Sequence, residues 1–159
     1  MKQIPVLTPA DYSEADLAFI VPRVLELSYT AHDLEAWARD LGCDGSPFSW
    51  SEERRFEIRC ELDAAFFHLY LPCEPDGGWR RAEGETPEQL EALKHHFPQP
   101  RDAVAYILDQ FFIVRQKDEQ AYGSYRTKER ILAIYDAMLA AQRSRQPYQT
   151  KLNPPPGSR

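Results

Sequence analysis

FSWSEERRFEIRCELDAAFFHLY, residues Phe48–Tyr70, is the stretch on which the fold turns. Ser49 and Glu52 stand three apart and read as a capping box, so a helix is expected to start there and run to about Tyr70. Its first half is charged (Glu52, Glu53, Arg54, Arg55), and its second half is apolar nearly all round, through Cys60, Leu62, Ala64, Ala65, Phe66, Phe67 and Leu69. A helix with that gradient passes from the surface into the middle of a domain, because a segment hydrophobic on every side has to be covered on every side. It is the expected core helix.

The pattern on both flanks stays helical. After the core helix, Leu71–Glu85 (LPCEPDGGWRRAEGE) holds two prolines and three glycines without periodicity and reads as either a mobile surface loop or a place where homologues would carry insertions. Thr86-Pro87-Glu88-Gln89 then gives a helix start, with Leu90, Leu93 and Phe97 as its buried stripe and Pro98 and Pro100 as its end. Val104, Ile107, Leu108 and Phe111 make the next amphipathic helix. Thr127 is the expected cap of a last helix whose inner face is Ile131, Ile134, Tyr135 and Met138. On the other flank, Met1–Tyr12 reads as an extended entry, since Pro5 and Pro9 oppose an early helix. Ser13, with Asp16 at the third position, caps a short helix, and Pro22 is expected to restart it and carry it to Tyr29. Thr30 caps the next turn, where Leu34, Trp37, Ala38 and Leu41 precede a stop at Gly42. Phe48 and Trp50 are expected to fold back onto the core. No alternating strand pattern longer than a few residues occurs. The expectation is an all-α single helical domain of about six to seven helices: an extended entry over 1–12, a helical domain over 13–143 with a loop at 71–85, and a flexible proline-rich tail over 144–159.

Composition narrows the function classes. The chain has 159 residues, is 43% hydrophobic and 12% aromatic, and carries a net charge of −6. Those fractions belong to a folded globular chain. The acidic balance argues against an independent DNA binder, whose affinity comes from neutralising phosphates. No apolar run approaches the ~18 residues of a membrane span, and the N-terminus lacks the pattern of a signal peptide. Cys43, Cys60 and Cys73 form an odd, widely spaced set with no disulfide framework, so the cytoplasm is the expected compartment.

No convergent catalytic set is legible. His95 and His96 are adjacent and diverge by about 100° on a helix, and a structural zinc needs three or four N/S ligands. Glu61 with Asp63, and Asp118 with Glu119, diverge in the same way and read as solvated charges. No phosphate-binding glycine loop and no GxSxG elbow is present, and no cysteine has a sequence-evident histidine partner. Asn153-Pro154-Pro155-Pro156 lacks the aromatic fourth residue that an amino-methyltransferase motif uses to stack its base. Catalytic residues and metal ligands are therefore expected to be none.

RQKDEQAYGSYRTK, residues Arg115–Lys128, is the candidate contact segment. Arg115, Lys117, Arg126 and Lys128 stand beside Tyr122 and Tyr125, with Gly123 as a hinge between two helical patterns. Arginine clamps phosphate with two bonds, lysine acts as a point charge, and tyrosine stacks or donates. Asp118, Glu119 and Glu129 are the carboxylates able to neutralise the same cations internally.

KQIPVLTPADY, LAFIVPRVLELSYTAHDLEAWARDLGCDG, FSWSEERRFEIRCELDAAFFHLY and DAVAYILDQFFIVRQKDEQAYGSYRTKERILAIYDAM occur in that order and span nearly the whole chain. Together they resemble the C-terminal region, after the target-recognition domain, of large bacterial restriction–modification enzymes with an adenine-specific DNA methyltransferase. The resemblance implies a segment that starts at the end of that domain, with the S-adenosylmethionine loop and the catalytic motif lying upstream in the parent enzyme. No cofactor is then expected in this chain. The implied role is a non-catalytic helical accessory segment that supports the recognition domain; if it meets DNA phosphates, Arg115, Lys117, Arg126 and Lys128 are the expected contacts from the residues themselves, with Tyr122 and Tyr125 secondary. Its expected partners are a methyltransferase or target-recognition subunit, DNA through that assembly, and no membrane. The alternative is a small helical interaction module with no nucleic-acid role.

Overall fold

Ser13 turns the chain into its first helix. Its hydroxyl accepts the Asp16 N–H at 3.2 Å while the Asp16 carboxylate takes the Ser13 N–H at 2.9 Å, a reciprocal cap. The computed structural model describes residues 6–82 and 84–158. The first part of the expected extended entry, with Pro5, lies outside the described residues. Its remainder closes into one 3-10 turn at Pro9–Asp11 behind Thr8, with proline at the first position, where its missing N–H costs nothing.

Seven α-helices follow among the described residues: α1 Glu14–Ser28, α2 Glu35–Asp40, α3 Glu52–Tyr70, α4 Pro87–His96, α5 Pro100–Asp109, α6 Phe112–Tyr122 and α7 Arg126–Ser144. The chain is all-α, as its periodicity predicts. Five starts differ from the sequence reading, two of them because the turn at His32–Leu34 begins behind Ala31 rather than Thr30 and α7 begins behind Tyr125 rather than Thr127. Pro22 does not restart a helix; it lies inside a continuous α1, which one missing backbone bond does not stop once the flanking turns are packed. α3 is capped by Ser51 rather than Ser49, with the Arg54 N–H reaching the Ser51 hydroxyl at 3.4 Å. The helix read through Val104, Ile107, Leu108 and Phe111 ends at Asp109, so Arg115–Tyr122 belongs to a separate helix, ended by Gly123 at φ 76°.

Contacts divide the chain into two compact units, residues 1–58 with 151–159 and residues 59–150. In the first, Leu25, Tyr29 and Ala38 form the buried centre, with Trp37, Cys43 and Phe48 packed on it. The Tyr29 hydroxyl donates to the Gly45 carbonyl at 3.1 Å, and Phe48 meets the Tyr29 ring edge-on. Trp50 does not join them: it is 61% exposed and carries the Arg55 guanidinium over its ring. Buried Glu26 is held by a two-point pair with Arg54 and by the Gly157 N–H at 3.2 Å.

The second unit holds the inner face of α7, where Ile131, Ile134, Tyr135 and Met138 are buried as their spacing predicts. Part of the expected 71–85 loop is packed as well, at Cys73, Gly77 and Trp79. Cys73 and Trp79 pair across an antiparallel bridge, both are buried, and the Trp79 indole donates to the Phe97 carbonyl at 2.8 Å. Arg143 of α7 holds the carbonyls of Pro75 and Asp76. Glu61, apolar-flanked and 1% exposed, accepts the hydroxyls of Tyr148 at 3.0 Å and Thr150 at 2.6 Å. Where the sequence reads a flexible tail from 144, the first residues beyond α7 therefore satisfy a buried carboxylate that would otherwise be costly to keep.

Candidate functional site

The candidate contact segment lies on α6, on the turn at Gly123 and on the start of α7. Arg115 pairs with Glu119 one turn on at 2.7 Å, and Lys128 pairs with Asp109 at the end of α5 at 2.6 Å. Arg126 stacks over the Tyr122 ring at 4.7 Å, so these two do come together as a cation–aromatic pair. Lys117 is exposed on α6. Tyr125 is not a surface donor: it is buried, and its hydroxyl is spent on the Leu108 carbonyl at 2.9 Å. Asp118 is turned to the backbone. It is buried and accepts the Thr127 N–H at 2.6 Å, so α6 caps α7, whose own N-cap residue Tyr125 supplies no side-chain bond. The joint is thus a folded turn with carboxylates already on two of its cations.

A feature that the sequence reading left out lies beside it. Phe66 and Phe67 of α3, Ile107 and Leu108 of α5 and Ile131 of α7 wall an open apolar pocket of about 570 Å³, with Phe111 and Val114 at the α6 side. This opening is why Phe66 and Phe67 stay half-buried while Ile58, Cys60 and Ala64 on the same helix are fully covered. Asp63 is the one charged residue among the described lining, and it is exposed. Desolvation pushes that carboxyl above its ordinary pKa, with Arg59 pulling the other way.

The exposed chain continues from the pocket along Phe111-Phe112-Ile113-Val114, whose exposures are 53%, 69%, 56% and 37%. Scattered apolar residues at a surface are ordinary, but four in a row are not. The signal was present in the sequence: successive helical residues point about 100° apart, so four consecutive apolar side chains cannot all face one core.

The structure also joins two residues that no spacing rule links. His68 Nε2 lies 3.1 Å from the Tyr135 carbonyl, its ring stacks on Tyr135 at 3.9 Å, and its Nδ1 lies 3.6 Å from Cys73 Sγ. A carbonyl only accepts, so Nε2 carries the proton and Nδ1 accepts from the thiol. Cys73 therefore does have a histidine partner, against the sequence reading. Burial lowers the His68 pKa and raises that of Cys73, so both stay neutral. A nucleophilic cysteine needs the opposite shifts. The pair ties the 71–85 segment to α3 and α7.

Among the described residues no cluster of three His, Cys, Asp or Glu is placed to hold a metal, and no helix is long and apolar enough to cross a membrane. No protein-family model, curated protein or solved structure matches the chain.

Proposed function

We propose that this chain is a non-catalytic helical accessory segment of an adenine-specific DNA restriction–modification methyltransferase, docked on the recognition subunit through the surface around Phe111–Val114. The observation that carries the docking half is the run of four exposed apolar residues leading into an apolar pocket, a surface whose exposure to water costs free energy that a partner's cover relieves. The DNA-modifying half is supported by the ordered resemblance over nearly the whole chain. Phosphate contact is the secondary part of the role. Arg115 and Lys128 reach DNA only by leaving Glu119 and Asp109, which is a small penalty for exposed pairs, and Lys117 and Tyr122 are already at the surface.

The test is recovery of the tagged chain from its native host after nuclease treatment. A methyltransferase or recognition subunit is expected in the wild-type sample and lost with Phe112→Asp and Ile113→Asp. Both positions are exposed, so folding should change by no more than ~0.5 kcal/mol. Recovery of proteins unconnected with DNA modification would overturn the assignment in favour of an interaction module without a nucleic-acid role, which the net charge of −6 also suits.

A further inference from the structure

We infer that the pocket walled by Phe66, Phe67, Leu108 and Ile131 receives one apolar side chain of a partner protein segment that carries a lysine or arginine within a turn of that anchor, the cation meeting Asp63. This deepens the docking reading above and rests on it. Two observations select the occupant. The pocket opens into the exposed Phe111–Val114 stretch, a surface broader than a small molecule needs, so the ligand is a macromolecular segment. Its volume of about 570 Å³ is enough for a bulky side chain and part of the backbone that presents it.

The second observation is charge. Asp63 is exposed and is the one charged residue of the described lining, so a partner that covers the pocket takes water from its carboxylate. A purely apolar partner would leave it only the influence of Arg59, and an acidic one would add repulsion. A cation beside the anchor turns the same group into a source of register and selectivity. The chain's net charge of −6 favours the approach of such a segment from a distance.

A photo-cross-linking residue in place of Phe112, in the full chain in its native host, reads the occupant directly. The attached peptide should hold an aromatic or branched aliphatic residue with lysine or arginine within one helical turn. A peptide without a cation, a peptide of this same chain, or no cross-link from a folded chain would overturn the inference. The protein identity and the peptide composition are separate readings. A fitting peptide from a protein outside DNA modification sinks the proposed function alone, whereas a recognition subunit captured through an acidic or wholly polar segment sinks this inference alone. A second measurement needs no partner. Phenylpropylammonium should shift pocket amides at concentrations ~10-fold lower than phenylpropionate, about the worth of one charge-assisted hydrogen bond. Asp63→Asn should erase that preference, and equal binding of the two by the wild-type chain would overturn the role given to Asp63.

Discussion

Removing the Asp118 side chain separates a helix cap from an ion pair. The carboxylate is buried and takes the Thr127 N–H at 2.6 Å at the start of α7. Asp118→Ala removes the acceptor, worth about 0.5–2 kcal/mol, and a negative charge at a helix N-terminus, worth about 0.3–1 kcal/mol. Together the loss is expected near ~2 kcal/mol. Asp118→Asn keeps an oxygen in the same place and gives up only the charge, so its loss should stay within ~1 kcal/mol. Urea unfolding at unchanged m-value measures both, and amide exchange at Thr127, Lys128 and Glu129 localises the effect to the first turn of α7. If Asn proves as damaging as Ala, the carboxylate acts through its charge on the neighbouring cations, and the capping account fails.

Burial lowers the His68 pKa, so the unfolded chain takes up a proton first as the pH falls below about 6.5. Stability should therefore be full above that pH and decline through it until the folded-state pKa is reached; His68→Gln should flatten this slope in urea titrations at several pH values, and an unaltered slope would assign it to other groups. Tyr148→Phe with Thr150→Val withdraws two hydroxyls from buried Glu61 and should destabilise by about 1–3 kcal/mol; a neutral result by calorimetry would mean that the chain beyond α7 does not satisfy that carboxylate. Asp63 has the opposite sign from a stabilising carboxylate: its raised pKa means the folded state prefers the proton, a deficit that is absent at low pH and appears as the pH rises through the ordinary carboxylate range. Asp63→Asn should accordingly raise the melting temperature at neutral pH and leave it unchanged at acid pH, and destabilisation at neutral pH would contradict the assignment.

The helix starts that were legible are the ones whose physics is local. Ser13 with Asp16 and Thr86 with Gln89 satisfy their own backbone groups within four residues, and the structure forms both reciprocal caps. The buried stripe of α7 follows from a 3.6-residue period in the same way. What was illegible depends on groups brought together by folding. Asp118 caps a helix from a different helix, Cys73 finds His68 across a loop, and Tyr148 reaches Glu61 over 87 positions. Pro22 and Ser51 show a third kind of miss, where tertiary packing overrides a local preference or two local caps compete and only one fits. The pocket was hidden for a further reason: Phe66 and Phe67 look like core residues in any sequence, and only the open space beside them says that their cover is incomplete.

The docking surface and the cationic joint are neighbours in the chain but respond to solution conditions in opposite ways, which makes their roles separable without any substitution. A phosphate grip through Lys117, Arg126 and their neighbours would release counterions and weaken steeply with any added salt. Apolar docking through Phe111–Val114 would instead be strengthened by sulfate, which is excluded from protein surface and favours burial. The Asp63 contact would be screened, but less so once the partner covers the pocket, because buried pairs are shielded from ions. An assembly held mainly by the apolar face should therefore persist or tighten in sulfate, losing only whatever part DNA contributes. Dissolution in moderate salt of either kind would mean that charge holds it together, and the exposed apolar residues would then be left without a role in assembly.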